Sequence, residues 1–435
     1  MKLSYFTNII PLTETEYLLL RPGSRPLIVD KDVVEAIRNL NSVPKNVIGT
    51  LWEEGVLTNL NPEEEIALFY NFLEGNNIQT KGRYSIAITY DCNFACTYCY
   101  ERKIRSEGTV KVSREMIDRF YEISVKEKDK IIESIGITGG EPLMYGNAEI
   151  LEYLLREGKR RRFSFDVITN GYELIEFLDM LKENNVKIVK VTLDGPKEIH
   201  DKRRLHKKHR GTYDRILDGI KEAQANGIKI TIFVNVDAQN INYIPQLVNE
   251  LNNNEINATI LLKRVNERSG VRYPLTLTPK EYFERVFKII KEHRLEDVLI
   301  YEFDVFYANL LNALSSGTPI PARLRYCGGV NPNVLIFDPR GDVYSCDYVL
   351  GDKRFSVGTY YPEFKLNVNY YLWKNRTASK IKECFNCKLS LLCSGGCPME
   401  AYRTHGTLYK PYCEETKYLF EYIKLWLSLR GDEND

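Results

Sequence analysis

The stretch TYDCNFACTYCYE, Thr89–Glu101, decides the fold. It places three cysteines, Cys92, Cys96 and Cys99, in one tight loop directly after the apolar run Ser85–Thr89. Three thiolates can hold three irons of a [4Fe–4S] cube. The fourth iron normally takes a fourth cysteine, and none stands nearby. An iron left open can bind a substrate or a cofactor. A structural zinc site wants four ligands, which this loop does not supply. Three core cysteines are the blander alternative.

Outward from this loop the chain has a rhythm. Residues 100–326 contain no cysteine. Apolar β-type runs recur at Ser85–Thr89, Ser134–Thr138, Ser164–Thr169, Ile188–Leu193, Ile230–Val236 and Thr259–Lys263. Helix-like segments fall between them at Arg114–Glu127, Asn147–Arg156, Leu174–Asn184, Tyr213–Ala225 and Ile244–Asn252. Such alternation predicts an α/β domain with a parallel barrel or open sheet. In parallel folds the chemistry gathers at the C-terminal ends of the strands, where the cysteine loop sits.

Before residue 80 the pattern changes. Tyr17–Leu20 and Pro26–Val29 read as short strands around a turn holding Pro22 and Gly23. Asp30 caps an expected helix through Leu40, and Asn61 one from Pro62 to Leu73. After residue 315 the chain is rich in Gly, Pro and Cys, and it ends in an expected amphipathic helix, Glu414–Leu429. The expected domains are therefore 1–80, 81–310 and 311–435, in line with about 150 residues per domain.

Composition narrows the function. Sixty basic residues against 59 acidic leave a net charge of +1, which argues against a chain that coats nucleic acid. No run of 18 apolar residues exists, so no membrane helix is expected. The N-terminus lacks a secretory signal, which points to the cytoplasm. Ten cysteines in a reducing compartment suggest metal or redox chemistry.

CNFACTYC fits the C-x3-C-x-aromatic-C signature, and the chain resembles the radical S-adenosylmethionine (SAM) superfamily on these residues. The resemblance implies that Cys92, Cys96 and Cys99 bind the SAM-binding cluster and that Tyr98 lies near the adenine. TGGEP, Thr138–Pro142, resembles the motif that contacts the methionyl amine. Glu141 supplies an anionic acceptor for the ammonium, and Gly139 and Gly140 let the backbone approach. Thr169 and Asn170 of TNG correspond to polar positions near the SAM ribose and carboxylate. In LDGPKEIHDKRR, Leu193–Arg204, the resemblance assigns Arg204 to the SAM carboxylate, with Arg203 next to it. KRRLHKKHR, Lys202–Arg210, carries six Lys or Arg in nine residues. It reads as a solvated face with one functional Arg, ahead of a nucleic-acid patch; an acidic peptide would also suit it.

The seven remaining cysteines form the series Cys327, Cys346, Cys384, Cys387, Cys393, Cys397 and Cys413, with Gly341 between the first two. The order resembles the SPASM module and its two auxiliary clusters; a zinc ribbon would explain only the first C-x2-C. The resemblance implies that Cys384, Cys387, Cys393 and Cys413 bind the outer cluster. Cys327, Cys346 and Cys397 would bind the inner one, leaving a ligand position open for a substrate thiolate. Asp347 follows Cys346, as a proton acceptor does in the anaerobic sulfatase maturases.

The fold expected is a partial (β/α)6 barrel, with a small winged-helix-like N-terminal domain and a C-terminal SPASM domain. The cofactors implied are SAM and three [4Fe–4S] clusters. The implied partners are a precursor peptide whose leader binds residues 1–80, and a flavodoxin or ferredoxin donor, with no nucleic acid and no membrane. The activity expected is installation of a thioether from a cysteine of a ribosomally made precursor. Alternatives are a formylglycine-generating sulfatase maturase, a carbon–carbon crosslinking maturase, and a cluster-bearing electron carrier without SAM chemistry.

Overall fold

The computed structural model describes all residues except 40–44, 76–80, 106–107, 133, 267–271, 296–298, 302–303 and 432–435. The described chain divides into two compact units: residues 80–302 with 331–374, and residues 1–79 with 303–330 and 375–435.

The first unit holds the parallel sheet. Its strands, in chain order, are Tyr84–Ala87, Ser134–Thr138, Ser164–Thr169, Val186–Thr192, Lys229–Val236, Thr259–Arg264 and Leu299–Tyr301. Each pairs in parallel with its neighbour in sequence. Leu335–Phe337 then pairs in parallel with Tyr84–Ala87, on the other side of the first strand. Among the described residues the two ends of this row do not pair, so the barrel is partial. Six strands were expected. The two extra ones are three residues each, too short to carry a period-two pattern.

Helices Arg114–Lys126, Ala148–Arg160, Leu174–Glu183, Tyr213–Ala225 and Ile244–Asn253 fill the crossovers where the periodicity puts them. Ser113 starts the first by accepting from the Met116 N–H. The helix Pro279–His293 was not foreseen, although Thr278 and Glu281 form a capping box at its start. Strand interiors such as Ile86, Ile137, Val167, Val189 and Val191 are fully buried beneath these helices, as expected for a parallel sheet covered on its faces.

In the second unit, Asn8–Pro11, Glu16–Leu20 and Leu27–Asp30 make an antiparallel meander with Glu16–Leu20 in the centre. Helices Lys31–Asn39, Lys45–Glu53 and Pro62–Gly75 follow. Asn61 caps the third: its side chain accepts from the Glu64 N–H, and Glu64 accepts from the Asn61 N–H, both at 2.8 Å. Strand Asn8–Pro11 and helix Lys45–Glu53 had no readable signal. Phe6, Ile66 and Tyr70 share one core with Leu324, Ala378, Ile381, Cys384 and Leu391. The N-terminal elements thus pack on the cysteine-rich segment within one unit. The last helix runs Leu419–Gly431, starting later than Glu414, because Thr416–Tyr418 forms a tight 3-10 turn first. No helix among the described residues is long and apolar enough to cross a membrane.

Candidate active site

An open cavity of about 1050 Å³, solvent at its mouth included, lies at the C-terminal ends of the strands. Cys92, Cys96 and Cys99 line it with Tyr98, Gly139, Gly140, Arg204, Lys263 and Asp347. The cysteine loop is held by backbone bonds from two sides. Gly140 N donates to Thr89 O at 2.8 Å and Glu141 N to Asp91 O at 2.9 Å. Ala95 N donates to Leu205 O at 2.7 Å and Lys207 N to Asn93 O at 2.9 Å.

The paired glycines are required by this approach. A Cβ on Gly140 would sit 2.1 Å from Asp91 O and 2.5 Å from Tyr90 O, both backbone atoms. We expect Gly140→Ala to displace the cysteine loop and cost at least about 1–3 kcal/mol, read as a lowered denaturant midpoint together with loss of SAM binding.

Glu141 is fully buried. Its carboxylate accepts from Thr169 Oγ1 at 2.6 Å, Asn170 N at 2.5 Å and Leu143 N at 2.8 Å. Burial nevertheless pushes its pKa up to about 7, against these three bonds. Thr169 and Asn170 therefore hold Glu141 directly, while the Asn170 amide reaches Asn93 at 2.7 Å in the cysteine loop.

Arg203 and Arg204 separate cleanly. Arg203 is buried between Asp194 and Asp237, bonds Asp237 and the Asn235 carbonyl, and lies over the Tyr98 ring. Arg204 lines the cavity and donates to Tyr98 Oη at 2.6 Å. Its Nε is buried without a hydrogen-bond partner. Burial alone would lower its pKa, but Cys96, Tyr98 and Asp194 hold it well above the ordinary value. Tyr98 Oη donates to Asp194 at 2.5 Å and accepts from Asn235 at 3.1 Å. His200 is fully buried, its Nδ1 accepting from Asp194 N, and burial drives its pKa down to about 3. It is a neutral brace for the Asp194 turn. Asn235 and Lys263 have no readable motif of their own, and Asp194 lies inside LDGPKEIHDKRR without a role assigned to it; their strand-end positions were the available signal.

In the second unit, Cys387, Cys393 and Cys413 lie close enough to Cys384 to act on it electrostatically. Burial and these neighbours push Cys384 up to about 12, and burial pushes Cys393 up to about 11. Gly395 and Gly396 make the approach possible. Tyr412 N donates to Gly395 O at 2.9 Å, and a Cβ on Gly396 would sit 1.9 Å from Tyr412 O. Burial, and after it the neighbouring Cys327 in the same unit, raises Cys397. Arg376, unremarked in the sequence, is fully buried beside these thiols and bonds the carbonyls of Leu408, Gly395 and Lys410. None of the ten cysteines is in a disulfide.

These residues fit SAM and iron–sulfur cofactors. Three thiols share a cavity with a buried guanidinium that has an unused donor; the buried Glu141, Thr169 and Asn170 stand behind Gly139 and Gly140 and do not line it. Buried, mutually repelling thiols elsewhere need a cation to become thiolates. Among the described residues no three His, Cys, Asp or Glu side chains converge on a single ion. A four-iron cluster binds each thiolate at a different iron and so holds its sulfurs further apart.

Residues 86–251 match the Radical SAM superfamily. Over these residues the chain carries a radical SAM domain. A cysteine-type anaerobic sulfatase-maturating enzyme of Clostridium novyi (strain NT) is 26% identical over 358 residues, 76% of this chain and 92% of that protein. The structure of native anSMEcpe with bound AdoMet matches 80% of this chain and 99% of its own, with a TM-score of 0.62 at 19% identity. The crystal structure of Streptococcus suis SuiB bound to precursor peptide SuiA matches 95% of this chain and 99% of its own, with a TM-score of 0.56 at 15% identity. These last two are likenesses of fold.

Proposed function

We propose that the chain is a maturase of peptide or protein substrates, and specifically that it joins a precursor cysteine to a carbon through a thioether. The observation that carries this reading is the N-terminal meander. Strand Leu27–Asp30 pairs only with Glu16–Leu20 among the described residues, and Ile28 on it is 55% exposed. A free strand edge with an apolar outward residue suits addition of a leader peptide as a further strand. The fold likeness to SuiB supports the reading. It leaves out a twentieth of the chain, far less than residues 1–79.

The SAM and cluster pair, when bound, supplies the 5′-deoxyadenosyl radical that removes hydrogen from carbon. The chain's own residues do the rest. Cys92, Cys96 and Cys99 would hold the cluster, Glu141 would take the methionyl ammonium of SAM, and Arg204 would take its carboxylate. Gly139 and Gly140 admit the backbone, Thr169 and Asn170 fix Glu141, and Tyr98 steadies Arg204. Cys384, Cys387, Cys393 and Cys413 hold an outer auxiliary cluster. By the same resemblance Cys327, Cys346 and Cys397 would be ligands of an inner one, its remaining ligand being the precursor thiolate. Asp347, at the cavity wall, receives a substrate proton.

A second reading has its own support. The curated relatives and the position of Asp347 on the cavity favour formylglycine formation. Mass spectrometry of a cysteine-containing precursor co-expressed with the enzyme separates the two. A thioether removes one S–H and one C–H hydrogen and blocks alkylation of the cysteine. Loss of sulfur with appearance of an aldehyde would overturn the thioether in favour of the second reading.

A further inference from the structure

The basic stretch Lys202–Arg210 divides in the fold. Arg203 and Arg204 turn inward to the site described above. Lys202, Lys207, Lys208 and Arg210 are exposed, and Leu205 stands 46% exposed among them. Arg102, also exposed, bonds the carbonyl of Thr97 on the same cysteine loop.

We propose that this surface docks a small acidic electron-carrier protein that reduces the cofactor held by Cys92, Cys96 and Cys99. The proposal rests on the reading of those cysteines as cluster ligands. One electron leaves the carrier and one enters the cluster; no bond or proton changes hands.

Position is the first argument. Residues 203–207 run antiparallel to 93–97 through Ala95 N to Leu205 O, Lys207 N to Asn93 O and Thr97 N to Arg203 O. Phe94 and His206 form a β-bridge in the same ladder. The patch is therefore a single backbone layer from Cys92 and Cys96. A protein seated on it comes as near the cluster as the fold permits from outside the cavity.

Charge is the second. Three acidic neighbours stand by it among the described residues: Asp91 lies 3.9 Å from Lys207, Asp201 is committed to the backbone N–H groups of Thr212 and Tyr213, and Glu173, near His206, accepts from Asn93 Nδ2 and Tyr145 N. A cluster of one sign steers an oppositely charged protein and raises its association rate. An apolar knob inside a charged rim is the anatomy of a small, transient redox interface.

A peptide substrate fits the surface less well. None of Lys202, Leu205, Lys207, Lys208 and Arg210 lines the cavity, so a peptide gripped here would lie behind the site. The segment's hydrogen-bonding edge toward the cysteine loop is already used.

The test uses the full chain with its clusters reconstituted and a recombinant acidic flavodoxin. Lys202, Lys208 and Arg210 are changed together to Glu, leaving Lys207 beside Asp91. Stopped-flow absorbance follows cluster reduction by reduced flavodoxin and, separately, by dithionite. We expect the flavodoxin rate to fall about tenfold or more at low salt and its salt dependence to vanish, with the dithionite rate unchanged. If charge reversal prevents folding, the matching Gln triple variant is read in the same way, with a smaller fall. An unchanged flavodoxin rate overturns the proposal. So does a variant that loses precursor-peptide binding while keeping its flavodoxin rate, which would make the patch a peptide surface. A wild-type protein with no dithionite-reducible chromophore at these cysteines overturns the cluster reading itself, and the proposal with it.

Discussion

Replacing Cys96 with Ala is expected to reduce formation of 5′-deoxyadenosine from SAM to background, as is replacing Cys92 or Cys99. The three side chains open onto one cavity and belong to one loop, so none can substitute for another. Removing one sulfur takes away a cluster ligand, and Cys96 also sits within electrostatic reach of Arg204. The loss should be local. The loop backbone is fixed by bonds from Gly140, Glu141 and Lys207 that do not involve the thiol, so the stability of the cofactor-free protein should change by less than about 1 kcal/mol. Product analysis by chromatography with dithionite as reductant checks the first part, and chemical unfolding the second. Cys384→Ala makes the contrast. Cys384 is 4% exposed and packs in the core with Phe6, Ile66 and Tyr70, so its loss is felt in the second unit's stability. Retained SAM cleavage in a Cys96→Ala protein would remove the central assignment.

What the sequence revealed and what it hid have physical causes. Cysteine spacing is legible because ligand geometry fixes it locally: three residues between Cys92 and Cys96 and two between Cys96 and Cys99 belong to one loop. The five crossover helices are legible because each buries one stripe against the sheet and so repeats near 3.6 residues. Leu299–Tyr301 and Leu335–Phe337 are not, since three residues cannot show alternation. Their strand state comes from the neighbour they pair with. Arg203 and Arg204 are adjacent and chemically identical, so no local rule separates them. Only the fold shows that Asp194 and Asp237 consume the first while the second faces the cavity. Tyr98 carries a similar lesson. Its aromatic ring fits the motif, but its hydroxyl is tied by Asp194, Arg204 and Asn235, partners that lie on three later parts of the chain. Arg376 was invisible because a lone arginine in a loop has no pattern. Its role beside the thiols of the second unit follows from carbonyls at Gly395, Leu408 and Lys410.

Glu141 makes the pH dependence of SAM binding calculable in sign. Its folded pKa is about 7, raised by burial from an ordinary 4.5. Between those values the folded protein holds the proton that the unfolded chain releases. This group's contribution to stability is therefore fully present at the acid end and is lost as pH rises through about 7. SAM binding runs the other way, because an ammonium needs the ionised carboxylate. Below the folded pKa the proton must leave before SAM binds, so affinity should fall about tenfold from pH 8 to pH 6. Glu141→Gln removes both effects. The neutral amide loses a charge-assisted bond of about 1.5–3 kcal/mol, which weakens SAM binding roughly tenfold to a hundredfold, and the affinity becomes flat across this range. It also costs stability. One carboxylate oxygen accepts from Asn170 N and the other from Leu143 N and Thr169 Oγ1. Either placement of the amide nitrogen therefore sets it against a backbone N–H, worth about 1–3 kcal/mol. Equilibrium dialysis of SAM against both proteins at the two pH values checks the binding, and urea unfolding checks the cost. A wild-type affinity that rises on acidification, or a Gln variant that keeps the wild-type slope, would show that the carboxylate does not meet the ammonium.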